Sequence, residues 1–148
     1  LIYLQQPIYD VALGAVGGVA HVAYQCNSCK FTYIVTDGTP LGTRPIALPP
    51  DLEPNGRFVA ALGNDTALFS CYSQQYGLEV CVTDRDGNAF RVAADIFPGS
   101  ESSKPQLLAA TPNGAYFTAD DGRHGRELWR IVPWVDAIFA DGFSASPP

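Results

Sequence analysis

The sequence predicts an all-β chain built from about three four-stranded antiparallel units, and three observations carry that expectation. Turn formers are abundant and charge is sparse: 14 glycines and 12 prolines occur among 148 residues, 47% of the residues are hydrophobic and 16% are charged. That balance excludes an all-helical bundle and a disordered tail. The chain also repeats itself without gaps, with Ala20–Asp37 lying over Ala67–Asp84 at an offset of 47, and Ala115–Val132 lying over the same segment at an offset of 48. Finally, each unit holds short β-rich runs divided by turn signals.

Taken in order, residues 1–10 read as a partial outer strand of a preceding unit, 11–57 as the first repeat, 58–105 as the second, 106–134 as an incomplete third, and 135–148 as a tail. Gly14-Ala-Val-Gly17-Gly18 is a turn and not a dinucleotide fingerprint, because the strand-like Val19–Tyr24 follows it where a helix would be needed. In the middle unit, the runs Phe58–Leu62, Ala67–Tyr72, Leu78–Thr83 and Ala89–Ala94 predict four strands. Gly63-Asn64-Asp65, Gln74–Gly77 and Asp86-Gly87-Asn88 supply the turns between them, the last through an Asp-Gly pair suited to positive φ. Alternation is incomplete: Leu78-Glu-Val-Cys-Val82 carries apolar residues on both faces, as a sheet packed between two neighbours requires. A four-stranded meander of this kind describes a propeller-like blade. A β-sandwich and an open repeat stack are the alternatives.

Nine basic residues against 15 acidic ones leave a net charge of −6, which offers no basic footprint for nucleic acid or an anionic membrane surface. No apolar run approaches the roughly 20 residues of a membrane span, so membrane insertion is not expected. The chain starts at Leu1 and contains no methionine, the expectation for a processed product or a fragment. Its four cysteines form two close pairs, Cys26/Cys29 and Cys71/Cys81, without the ligand spacing of a zinc site. Local disulfides formed in an oxidising compartment are the expected reading. Cys71 and Cys81 are symmetric about Tyr76, so a simple hairpin sets them across neighbouring strands, and Tyr24/Ile34 and Ala119/Trp129 occupy the equivalent positions. Cys26 and Cys29 close the corresponding tip of the first unit.

The copies share Val35-Thr36-Asp37 with Val82-Thr83-Asp84, and Gly77-Leu-Glu79 with Gly125-Arg-Glu127. Tyr116-Phe-Thr-Ala-Asp-Asp-Gly-Arg-His-Gly-Arg-Glu-Leu-Trp129, together with Thr36-Asp-Gly-Thr-Pro-Leu-Gly-Thr-Arg44, resembles the bacterial ELWxxDGT repeats. Asp95-Ile-Phe-Pro-Gly-Ser100 resembles the linker that follows such a repeat, so the similarity spans most of the chain. The resemblance implies a secreted or surface-associated protein with propeller-like β repeats. Asp136-Ala-Ile-Phe-Ala-Asp-Gly-Phe143 resembles a C-terminal tail of exported proteins of certain Gram-negative bacteria, with Ser144 where that tail has an acidic residue.

Candidate chemistry gathers in two turns. Asp84, Asp86 and Asn88, and likewise Asp120-Asp121-Gly122, crowd oxygen ligands as calcium loops do, although the downstream glutamate of an EF-hand is missing and a hairpin turn explains the same residues. The loop holding Asp120, Asp121, Arg123, His124 and Arg126 is the densest polar cluster, able to grip a carboxylate, a sugar or a metal. His21 is the one other histidine, so a His-rich metal centre cannot be assembled. There is no GxSxG elbow, and Asp120, Asp121 and Glu127 are carboxylates without a spacing that defines a glycosidase pair. Tyr116, Phe117, Trp129 and Trp134 form either core packing or a carbohydrate-stacking surface, with core the expectation. The sequence therefore predicts a non-catalytic repeat segment for binding, scaffolding or assembly at the cell exterior. The alternatives are a calcium- or glycan-binding lectin and a piece of a larger secreted enzyme. Its expected partners are copies of itself or the remainder of a longer parent chain, since about three blades do not close a ring of about four to eight.

Overall fold

The computed structural model describes residues 8–26, 29–133 and 141–142. These are all-β and make three antiparallel sheets of four strands each. The first sheet runs β1 (Ile8–Val16), β2 (Val19–Cys26), β3 (Cys29–Thr36) and β4 (Arg44–Pro45). The middle sheet runs β5 (Leu52–Leu62), β6 (Thr66–Ser73), β7 (Gly77–Asp84) and β8 (Arg91–Ala94). The third runs β9 (Gln106–Thr111), β10 (Gly114–Asp120), β11 (Arg126–Ile131) and β12 (Asp141–Gly142). Each is a plain meander, in which strands consecutive in sequence are antiparallel neighbours in the sheet. The predicted run Leu1–Leu4 and Trp134 lie outside the described residues.

The middle sheet explains the loss of alternation along its strands. Val59, Phe69, Cys71 and Cys81 pack towards the first sheet, against Ala12, Ala23, Tyr33 and Val35. Phe58, Leu68, Val80 and Val82 point the other way and pack with Ala115, Phe117, Ala119 and Ile131 of the third. Side chains alternate across a strand, so only a two-sided environment buries both sets. Tyr33, Phe69 and Phe90 form an aromatic cluster in the first of these cores, with ring centroids 5.1–5.3 Å apart and Phe90 edge-to-face with both of the others. Beside it His21 is fully buried, its Nδ1 3.0 Å from the Tyr33 hydroxyl and its Nε2 2.8 Å from the Arg85 carbonyl oxygen. A carbonyl can only accept, so Nε2 carries the proton and Nδ1 accepts from Tyr33. Burial lowers the His21 pKa and favours this neutral form.

The sheets meet most closely through their first strands, with β5 lying against both β1 and β9. At Gly14 a Cβ would stand 2.7 Å from the Val59 carbonyl oxygen, so the absence of a side chain is what lets β1 approach the β5 backbone. Gly14 is thus a strand residue, and only Gly17-Gly18 makes the expected turn, at φ of 54° and 84°. β5 begins at Leu52, ahead of the run starting at Phe58: Leu52–Asn55 pairs with Ser73–Ser70, then the register shifts before Val59 pairs with Phe69. A bulge joins two short paired stretches that the residue pattern reads as separate.

The Cys71–Cys81 disulfide is present, with Cα atoms 5.8 Å apart. The two residues are not directly opposite, as symmetry about Tyr76 implies. Cys71 faces Glu79 and Cys81 faces Phe69, so the bridge runs diagonally across β6 and β7. The turn centres one residue earlier, because Ser73 pairs with Gly77 and the Ser73 hydroxyl accepts from the Tyr76 amide at 3.0 Å. The same diagonal recurs where Val22 faces Ile34 while Tyr24 faces Thr32, and where Phe117 faces Trp129 while Ala119 faces Glu127. In the third sheet the Trp129 indole donates across it to the Ala119 carbonyl, at 3.3 Å. Cys26 and Cys29 are register partners at the first hairpin tip, and their side chains lie outside what is described. Reduction of Cys71–Cys81 is expected to lower unfolding free energy by about 2–4 kcal/mol. Urea unfolding of the oxidised protein and of a Cys71→Ala/Cys81→Ala double variant checks this; equal midpoints would contradict it.

Candidate functional site

Two polar constellations stand at equivalent places in the repeat. The first surrounds Glu79, which is fully buried on β7. Its carboxylate accepts from the backbone amides of Ile96 (3.3 Å), Phe97 (3.2 Å) and Ser103 (3.1 Å), and from the Ser103 hydroxyl at 2.6 Å. Those donors belong to the segment linking the middle and third sheets, so one buried carboxylate holds the whole connection down. Ser103 Oγ and the Lys104 amide also reach the Leu78 carbonyl, both at 3.3 Å. Burial outweighs these donors and raises the Glu79 pKa to about 7. The sequence carried a signal for this residue in the matched Gly77-Leu-Glu79 and Gly125-Arg-Glu127, although burial of the first glutamate could not be read from that match.

The second constellation is the β10–β11 turn, where the predicted loop residues separate into distinct roles. Asp120 is a turn cap, with Oδ1 accepting from the Gly122 amide at 2.8 Å. Asp121 Oδ1 accepts from the amides of Arg123 and His124, both at 2.8 Å, while its Oδ2 lies 2.7 Å from His124 Nδ1. Those amide and imidazole hydrogen bonds hold the Asp121 pKa down to about 2, and the Asp121 carboxylate raises that of His124. Arg126 leaves the cluster: it donates to the Thr118 carbonyl and hydroxyl at 3.2 and 3.0 Å, and to the Lys104 carbonyl at 3.1 Å, tying the sheet to the linker. Glu127 takes its place, for one ligand atom from each of Asp121, His124 and Glu127 lies within 4.8 Å of the others. The structure thus brings together Asp121 and His124, adds Glu127, and separates Arg126.

At the other predicted turn, Asp84 Oδ1 accepts from the Asn88 amide at 2.7 Å. Arg44 donates to the Asp86 carbonyl oxygen and lies 3.5 Å from Asn88 Oδ1, while Arg85 lies 3.4 Å from Asp86 Oδ1. One side-chain oxygen of each of Asp84, Asp86 and Asn88 thus has a protein donor nearby. The resemblance residues of the first unit also have a structural use: Asp37 Oδ1 accepts from the Thr39 amide and hydroxyl at 2.8 and 2.7 Å, and Thr36 Oγ1 lies 2.6 Å from Thr43 Oγ1. Phe117 is buried in the second core, and the partly buried Trp129 packs against it. Tyr116 lies outside that core, with the Arg130 guanidinium 5.7 Å above its ring.

Among the described residues no helix is long and apolar enough to cross a membrane. Comparison with family models, with curated proteins and with solved structures finds no match to this chain.

Because the Glu79 pKa is raised from 4.5 to about 7, its protonated form favours the folded state. That stabilisation is fully present below pH 4.5 and is lost as pH rises through about 7. Relative to a Glu79→Gln variant, the protein is expected to lose stability on the order of 3 kcal/mol between pH 4.5 and pH 8. Urea unfolding of both forms across that range measures it, and parallel pH profiles would contradict it.

Proposed function

We propose that this chain is a segment of an extracellular, non-catalytic propeller-type repeat protein that works by binding and assembly, its end sheets taking further sheets of the same kind. The observation that carries this reading is the asymmetry of burial among equivalent sheets. Among the described residues, the middle sheet has a core cluster on each face, whereas the first and third sheets each join such a cluster on one face. Val11 and Leu13 on the open face of the first sheet are 56% and 67% exposed, and Leu108 and Leu128 on that of the third are 61% and 47% exposed. On the same face of the first sheet Tyr24 and Ile34 are buried, and with Thr36, Arg44 and Pro45 they line a groove of about 800 Å³. Apolar faces of this kind mark interaction surfaces.

The internal repeat says what kind of surface fits. The first sheet presents Ala23, Tyr33 and Val35 to the middle one, and the middle sheet presents Leu68, Val80 and Val82 to the third. The three described sheets therefore present one outer face of each type, and a second copy or the remainder of a longer parent supplies the complement. The Cys71–Cys81 bridge favours an oxidising compartment. The resemblance to ELWxxDGT repeats points the same way, and its residues serve here as linker anchors and turn caps.

Light scattering is expected to report a native mass at least twice 15.9 kDa. Leu13→Asp and Leu128→Asp are expected to return the chain to a disulfide-intact monomer. A wild-type monomer that melts cooperatively would overturn the reading and favour a self-contained sandwich or an open stack.

A further inference from the structure

The geometry points to a divalent transition-metal site of the zinc type at the β10–β11 turn, with Asp121, His124 and Glu127 as its three protein ligands. The donor set is one imidazole and two carboxylates, all within 4.8 Å on an Asp-x-x-His-x-x-Glu spacing. An imidazole nitrogen distinguishes such a site from the all-oxygen shell of calcium, and His with carboxylates suits zinc and its neighbours. Three protein ligands leave one tetrahedral position open to water or to an exogenous ligand.

The parts are placed for this role. Asp121 is fixed by two backbone amides on Oδ1, which leaves Oδ2 directed at the imidazole. His124 is 68% exposed at its side chain, so it can turn by the fraction of an ångström that admits an ion beside Asp121. Arg126, the cation nearest in sequence to Glu127, is committed to Thr118 and Lys104 and does not neutralise the two carboxylates. The repeat supplies an internal contrast. At Glu79 four donors from the following linker satisfy the equivalent carboxylate, and the positions matching Asp121 and His124 are Ser73 and Tyr76. In the third unit the equivalent carboxylate stands beside an imidazole and a second carboxylate.

Zinc titration of chelator-stripped full-length protein, followed by calorimetry, tests the assignment. Saturable one-to-one binding is expected, weakened by more than about tenfold in both His124→Ala and Glu127→Gln, since even outer-shell losses cost that much. An Asp86→Asn variant, altered at the other acidic turn, is expected to bind as wild type does, and calcium in excess is expected not to compete. Unchanged circular dichroism and melting of the metal-free variants separate ligand loss from misfolding. Absence of saturable binding, binding retained by either variant, or equal competition by calcium would overturn the site.

Discussion

Two-sided burial of the middle sheet is the constraint on which the rest of this structure depends. Leu68 and Phe69 are adjacent in sequence and both fully buried, and they can be so only because separate layers lie on opposite faces of β6. Each layer contributes the apolar area that a single four-stranded sheet cannot bury by itself. Close approach of β1 to β5 at Gly14 and the aromatic cluster of Tyr33, Phe69 and Phe90 follow from that layering. Among the described residues, the exposed apolar side chains Val11, Leu13, Leu108 and Leu128 lie on the outer faces of the two end sheets.

Linkers must cross from one sheet to the next without leaving backbone amides unsatisfied in the core. Glu79 solves this between the middle and third sheets by offering two oxygens to three amides and a hydroxyl. The arrangement couples the chain to pH, because a carboxylate without a cation is costly to bury in charged form. Arg126 reinforces the same linker from the far side through Lys104. The equivalent positions have diverged to Thr32, Glu79 and Glu127, so one architectural place has been free to take on different chemistry in each unit.

Much of this was legible in the sequence because repeats announce themselves twice, once in the period and again in the turns. The turns at Gly63-Asn64-Asp65 and Gln74–Gly77 form where their residue types demand, and the apolar doubling in Leu78–Val82 correctly implied a sheet covered on both faces. What the pattern missed was governed by registers and distances. The β5 bulge and the diagonal setting of Cys71 against Cys81 depend on single-residue shifts that composition does not encode. Separation of Arg126 from Asp121 and recruitment of Glu127 were equally hidden, since two residues adjacent on a strand point to opposite faces.

Hydrogen exchange measured strand by strand at two protein concentrations tests the central claim most directly. If the middle sheet is the cooperative centre and the end sheets await partners, amides of β6 and β7 will be the slowest to exchange, at a rate independent of concentration. Amides of β2, β3, β10 and β11 will exchange faster in dilute protein and gain protection as it is concentrated. Protection of the end sheets equal to that of the middle one at high dilution would contradict the account.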